Sequence, residues 1–455
     1  RSAPYFVASE SKCLRLSQQE PGNAPNARTS RPRMLDGSPS APVAGRSRRR
    51  GTPAGGVNRF HRLKKTNAYK GTMMKRIDSF SRMPFSRLAA LTAVVILSIM
   101  PYTSHAQYTN WTPFYDEWQN MKGIEPRQYI SYKVSEPIVI DGDLEEAAWH
   151  YLPWTEFFID IEGSVKPRPY YRTQAKIAWD DSFLYFAGDI EDYHVWGTLT
   201  EHDAIMYFDN NFEIFIEPDN DSHHYYELEI NALNSVWDLM LHTPYRDGGE
   251  RDSAWSIPGL ETAIKVHGTL NDPSDRDSGW SVEVAIPWTV LAEYADTPSP
   301  PRDGDSWRIN FSRAEWEHEI VEETYAKPRG GRCENWVWSP PGVINMHCPE
   351  KWGYVQFSTA KPGTAQFTPE PTEPARMLLH DIYYAQRDFY RRNDRYAASI
   401  GELGLAVGTH ENVSGSPSIQ LTAEGYLASV TVESEEVARQ VISIRQDSKI
   451  SVARE

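Results

Sequence analysis

The stretch Gly279-Trp-Ser-Val-Glu-Val-Ala-Ile-Pro-Trp288 places Trp280, Val282, Val284 and Ile286 at every second position. Successive side chains of an extended chain point to opposite faces, so a period of two reads as a strand with one apolar face. The same alternation appears upstream in 172–180, where Thr173, Ala175, Ile177 and Trp179 share a face, and downstream in 307–313, with Trp307, Ile309 and Phe311. Phe183–Glu191, 212–216, Tyr225–Asn231 and Val236–Leu241 continue the pattern, bounded by Gly, Pro, Asn and Asp. Many short strands without a strand–helix–strand rhythm predict an all-β fold over 129–358: a two-sheet antiparallel β-sandwich, jelly-roll or immunoglobulin-like.

Outside that core the patterning changes. Residues 107–128 carry Trp111, Phe114, Tyr115 and Trp118 with little periodicity, and read as an arm packed on the domain. Helical turns are expected at 144–152 and at 287–294, where Pro287 suits a first helical position. The Pro, Thr and Gly of 359–374 read as a linker. Beyond it, Leu378, Ile382, Ala385 and Phe389 recur at helical spacing, and strands such as Tyr426–Val432 follow, so 375–455 is expected to be a small α+β unit.

Charge divides the chain. Residues 1–72 hold 15 Lys and Arg against Glu10, Glu20 and Asp36, whereas 107–455 holds 28 against 58 Asp and Glu. So acidic a surface repels phosphate backbones, which argues against nucleic acid as a partner. Between these parts, Lys75, Arg76, Arg82 and Arg87 precede the apolar run 88–100, and Ser104-His105-Ala106 follows as a small-x-small cleavage site. A 13-residue apolar run is short for a bilayer span and right for a signal peptide, here 73–106. The expectation is export to the periplasm, cell surface or medium, with no integral membrane span after cleavage. Residues 1–72 then read as an upstream extension, with initiation at Met73, Met74 or Met83. In the mature chain Cys333 and Cys348 form an even pair, the count expected of a disulfide in an oxidising compartment.

Three segments in order carry a family resemblance: Ile138-Val-Ile-Asp-Gly-Asp-Leu-Glu-Glu-Ala-Ala-Trp149, Asp209-Asn-Asn-Phe-Glu-Ile-Phe-Ile-Glu-Pro-Asp219 and the 279–288 stretch, closed by Trp352-Gly-Tyr-Val-Gln-Phe357. Together they resemble the family 9 carbohydrate-binding modules over about 129–358. The resemblance implies a sugar-binding sandwich, often attached to enzymes that degrade xylan and other polysaccharides, and frequently stabilised by calcium. It also implies a site in which two aromatic rings sandwich the sugar: Tyr207 falls where one ring sits and Glu213 matches a hydroxyl-binding carboxylate. Met346 stands at the place of the second ring and Glu229 at that of a hydroxyl-binding Arg, so Trp336 and Trp338 in a nearby loop, and Trp196 and Trp255 beside others, are further candidates for a stacking ring. Such stacking suits a pyranose, whose C–H face is apolar and whose rim of hydroxyls needs partners.

Asp219 and Asp221, in Glu217-Pro-Asp-Asn-Asp221, and Asp141 and Asp143 are hard oxygen donors suited to structural calcium. His223-His224 lacks the spacing of a zinc site. No Gly-x-Ser-x-Gly, His-Glu-x-x-His, P-loop or dinucleotide fingerprint is present. The leading reading is therefore a binding protein for plant-type polysaccharide, with a glycoside hydrolase as the alternative. A second alternative is a haem-binding electron-transfer sandwich, with Met206, Met240 or Met346 paired to His202, His242 or His347. The segment 378–405 loosely resembles the region after the helix in pilin-like proteins, which would suit an envelope protein partner.

Overall fold

The computed structural model describes residues 113–454 apart from Pro137, Ser253, Asp296, Val407, Thr409 and Glu436. The expected upstream extension, the expected signal peptide and the first residues of the arm lie outside the described residues. Fifteen strands belong to the first part: β1 Gln128–Lys133, β2 Ile159–Asp160, β3 Thr173–Trp179, β4 Phe183–Glu191, β5 Asn211–Glu217, β6 Tyr225–Asn231, β7 Val236–Leu241, β8 Arg251–Asp252, β9 Glu261–His267, β10 Gly279–Pro287, β11 Ser306–Trp316, β12 Glu319–Val321, β13 Thr324–Ala326, β14 Cys333–Val337 and β15 Gly353–Ser358. They form a β-sandwich whose layers join in one hydrogen-bonded path, β8-β7-β6-β5-β11-β15-β1-β3-β4-β10-β9, while β14 branches from β11 to β2 and β12 pairs with β13 apart. Pairing is antiparallel except at β1, which runs parallel to both β15 and β3 and so carries the sheet from one layer to the other.

The alternation read from the sequence fills the space between the layers. Phe212, Ile214 and Ile216 of β5, Leu228 and Ile230 of β6, and Trp307, Ile309 and Phe311 of β11 face Ala175, Ile177 and Trp179 of β3 and Trp280, Val282, Val284 and Ile286 of β10 in one buried cluster. The helical turns are shorter than expected: α1 Tyr115–Met121 lies in the arm, α2 is Ala147–His150, and α3 is Trp288–Leu291 with Pro287 as its cap residue.

The second part holds α4 Glu373–Asn393, α5 Ile400–Leu403 and a four-stranded antiparallel meander: β16 Val413–Leu421, β17 Tyr426–Val432, β18 Gln440–Arg445 and β19 Ile450–Arg454. Leu378, Ile382 and Ala385 bury the predicted stripe of α4. The arm packs here as well, with Trp118 stacked on Tyr384 at 4.7 Å between ring centroids. Residues 359–374 differ from a free linker, because Gln356 hydrogen-bonds both the backbone N–H and the carbonyl of Thr368, and Asp303 accepts from Thr359.

A buried ionic network ties the two parts together. Arg246, in the turn after β7, donates to Glu350 at 3.0 Å, to the Tyr383 hydroxyl at 3.2 Å and to the His347 carbonyl at 3.2 Å. Tyr384 donates to the other oxygen of Glu350, and Asp247 accepts from Tyr383, Arg387 and Ser448. Burial alone would raise the Glu350 carboxyl, but Arg246 beside it, with His380 and the Tyr384 hydroxyl, holds it down to about 2. The expected disulfide does not form: the Cys333 thiol donates to the Glu334 carbonyl in a cluster with Trp196 and Trp316, while Cys348 packs with Trp118 and α4 in a different cluster. Closure of that loop was a matter of placement that residue counting does not report.

Removing one partner of a buried ion pair strands the other, so Arg246→Ala should lower stability by about 3–5 kcal/mol. In urea unfolding, tryptophan fluorescence and the far-UV helical signal should shift together. A shift confined to the helical signal would show that the two parts melt independently.

Candidate functional site

The outer face of β5, β6 and β7 holds Glu213 and Glu229, two of the residues that the sequence singled out. In register, Glu213 of β5 lies opposite Glu229 of β6, and Phe215 opposite Glu227. Glu229 in turn faces Trp237 of β7, and Glu227 faces Leu239. The period of two thus brings three carboxylates to one face, beside the rings of Phe215, Tyr225 and Trp237. All three strands are buried on both faces, which alternation alone would not give to strands carrying Glu at every second place.

The cover comes from two loops and one turn. Met206 and Tyr207 occupy a single 3-10 turn before β5, Ile344 and Met346 belong to the loop before β15, and Tyr245 follows β7; all pack against the same apolar cluster. Trp352 anchors the second loop by donating its indole N–H to the Met346 carbonyl at 2.7 Å, with its ring against Phe215 and Tyr225. Tyr207 and Met346, far apart in sequence, therefore meet on one face. Tyr207 is half-buried, its carbonyl fixed by the Trp316 indole at 2.9 Å.

Hydrogen bonding organises the acids. Asn211 donates its amide to Glu213 at 3.0 Å and to Glu229 at 2.9 Å, holding the two carboxyls side by side. Ser312 is a second partner of Glu213, and Glu227 partners Glu229. Burial pushes Glu213 up to about 7; burial and then the Glu213 charge push Glu227 up to about 8 and Glu229 well above its ordinary range. Arg251, which donates to the Tyr245 hydroxyl at 2.9 Å, opposes the shift at Glu227.

The other ring candidates sit elsewhere. Trp336 and Trp338 lie in the sandwich core, Trp338 meeting Tyr129 and Phe311, and Trp336 lying beside Arg313 and Tyr170. Trp196 is enclosed with Ala314 and Trp316. Burial of these three rings is a correction to their reading as stacking residues, since a ring closed in on both faces offers none to a sugar. Trp255 is half-buried against Tyr226, at 5.3 Å between ring centroids. Trp237 and Tyr245 were not among the rings expected from the sequence, since the register that sets Trp237 opposite Glu229 is fixed by the pairing of β7 with β6. Among the residues considered for haem, Met240 faces the sandwich core, Met206 and Met346 lie on the outer face, and His347 packs on Tyr245 with a 3.0 Å hydrogen bond to Tyr225.

Of the proposed metal ligands, Asp219 and Asp221 join Glu217 in a trio whose carboxylate oxygens lie within 4.8 Å of one another. Burial and the neighbouring Asp219 and Asp221 raise Glu217 well above the carboxylate range, and a cation would relieve that repulsion. Glu217 already accepts from the backbone N–H groups of Asn220, Asp221 and Ser222, however, and Lys449 pairs with Asp221 at 2.9 Å. Asp141 forms a second trio with Glu146 and Glu283, whereas Asp143 pairs instead with Lys265. Both oxygens of Glu146 are buried without a hydrogen-bond partner among the described residues, and Glu283 accepts from Trp149 at 2.6 Å. Glu283 also accepts from the backbone N–H groups of Asp141 at 3.0 Å and Gly142 at 2.8 Å, so the open oxygens of the second trio are those of Glu146. Glu283 could not be read as a ligand from spacing because it comes from the distant β10, whereas Glu146 lies in the same segment as Asp141.

Residues 140–313 match the model of the carbohydrate family 9 binding domain-like family. A family 9 carbohydrate-binding module from Caldicellulosiruptor kristjanssonii, solved with cellotriose, is similar at 16% identity over 53% of this chain and 100% of that one, with a TM-score of 0.35. Its glucose complex gives 18% identity, the same coverage and a TM-score of 0.35. A candidate carbohydrate-binding protein from Bacteroides uniformis gives 16% identity over 51% of this chain and 99% of that one, with a TM-score of 0.38. No curated protein matches the chain.

The raised carboxyls carry a sign. Glu227 titrates near 8 in the folded protein against 4.5 unfolded, so the fold holds the extra proton and this group's contribution to stability falls as pH rises from about 4.5 through about 8. Glu227→Gln should match the wild type near pH 4 and exceed it by at least about 1 kcal/mol at pH 8. Urea midpoints at the two pH values measure this, and equal stabilities at pH 8 would refute the buried placement.

Proposed function

We propose that this protein is an exported carbohydrate-binding protein that engages plant-type polysaccharide, of cellulose or xylan kind, on the outer face of β5–β7, and that supports the breakdown of that polysaccharide by other proteins. The observation that carries the reading is that the half-buried rings of Tyr207 and Tyr245 pack, with Met346, on the outer face of β5–β7, the face that carries Glu213. Rings supply the surface that a sugar's C–H face needs, and Glu213 with Asn211 supplies the hydrogen-bonding groups. The family match over 140–313 supports the same assignment. The signal-like segment at 73–106 supports export, and among the described residues no helix is long and apolar enough to cross a membrane. Calcium at the Asp141–Glu146–Glu283 trio would act as a structural ion, since Glu283 and Trp149 belong to the sandwich wall rather than to the ring-lined face.

A carboxyl titrating near neutrality is also what a general acid requires, so hydrolysis is the competing reading for Glu213. Calorimetric titration of the protein with cellotriose, xylotriose and soluble xylan, with and without calcium, tests both. Saturable binding is expected, weakened by about 10-fold or more in Tyr207→Ala, since one stacked ring contributes about 0.5–1.5 kcal/mol beyond its area. No reducing ends should be released from either glycan. Release that disappears in Glu213→Gln would establish a hydrolase, and absence of binding to every glycan would end the sugar reading.

A further inference from the structure

The ring-lined face has an electrostatic peculiarity. Glu350 and Glu315 are as deeply buried as the acids of this face, and each has a guanidinium partner, Arg246 at 3.0 Å and Arg313 at 2.6 Å. Among the described residues, Glu213, Glu227 and Glu229 form no ion pair at all. Asn211 serves Glu213 and Glu229. Glu227 is 5% exposed, and its Oε2 is buried without a hydrogen-bond partner unless a carboxyl proton bridges it to Glu229. A buried acid of this kind either keeps its proton or takes a cation.

The cation that fits is not a bare metal ion. The metal-like groupings among the described residues, with ligand atoms within 4.8 Å of one another, are Glu217–Asp219–Asp221, Asp141–Glu146–Glu283 and His202–Asp203–Asp238, and the three acids of this face are not among them. An ammonium group on a larger molecule suits the arrangement better, because its three N–H donors reach separate acceptors. The half-buried rings of Tyr207 and Tyr245, packed on the same cluster, add cation–π attraction and a stacking surface.

We propose that this face selects sugars that carry a free amine, with Glu227 and Glu229 receiving the ammonium and the surrounding rings receiving the C–H face of the pyranose. The assignment rests on the reading of the face as a sugar site. Binding would displace the carboxyl protons of these acids into solution, and Arg251 is the rim cation that opposes it.

Three β-1,4-linked trimers of the same ring test the proposal: the glucosamine trimer, its N-acetylated counterpart and cellotriose. Titrated into the full chain at pH 6.5 in 0.3 M salt, the glucosamine trimer should bind at least tenfold more tightly than either of the others. Its heat should vary with the ionisation enthalpy of the buffer, reporting proton release. Glu227→Gln should bring the ratio of the three affinities toward one, and Tyr207→Ala should weaken the glucosamine trimer. Equal affinity for cellotriose and the glucosamine trimer would overturn the amine preference and leave the sugar site standing. Glucosamine binding that survives Tyr207→Ala, or that vanishes in 0.3 M salt, would reveal only general attraction to an acidic surface and would also overturn it. Failure of all three trimers to bind would remove both readings.

Discussion

The buried pairing of Arg246 with Glu350 is the constraint on which the arrangement turns. Arg246 follows Tyr245 in the turn after β7, and Glu350 lies in the loop that carries Met346. Their contact therefore fixes two elements around the ring-lined face at once, while Tyr383 and Tyr384 extend it into α4. Two ions taken out of water need close geometry and further hydrogen bonds, and this pair has both. The C-terminal unit is consequently part of the scaffold of the face rather than an appendage on a flexible tether.

A second consequence is a third layer over β5–β7. An ordinary sandwich leaves its outer faces to solvent, where Glu is at home. Here the turn at Met206–Phe208, the loop 340–352 and Tyr245 cover that face, so Glu213, Glu227 and Glu229 lose their water without gaining an arginine. Their raised titration is a product of that cover. Proteins tolerate such cost where a site needs it, because a carboxyl tuned toward neutrality responds to a ligand in ways that a solvated one does not.

The sandwich itself was legible from strand periodicity. Trp280, Val282, Val284 and Ile286 face inward as the alternation of β10 predicts, and so do Trp307, Ile309 and Phe311 of β11. Legibility failed at contacts between distant segments. Trp336 and Trp338 looked like ring candidates because they lie in a Pro- and Gly-rich stretch near the Met346 loop, yet β14 pairs with both β11 and β2 and its neighbourhood is enclosed. The stretch 359–374 looked like a tether from composition, whereas Gln356 and Asp303 pin it through groups no composition reveals.

By itself the sequence determined the strand faces and the apolar stripe of α4, because each follows from spacing along one segment. The tertiary structure alone decided which rings are exposed, that Cys333 and Cys348 stay apart, and that three acids share a covered face. The physical reason is range: periodicity is set by backbone geometry within a few residues, while burial, ion pairing and titration depend on what other segments bring within a few ångströms.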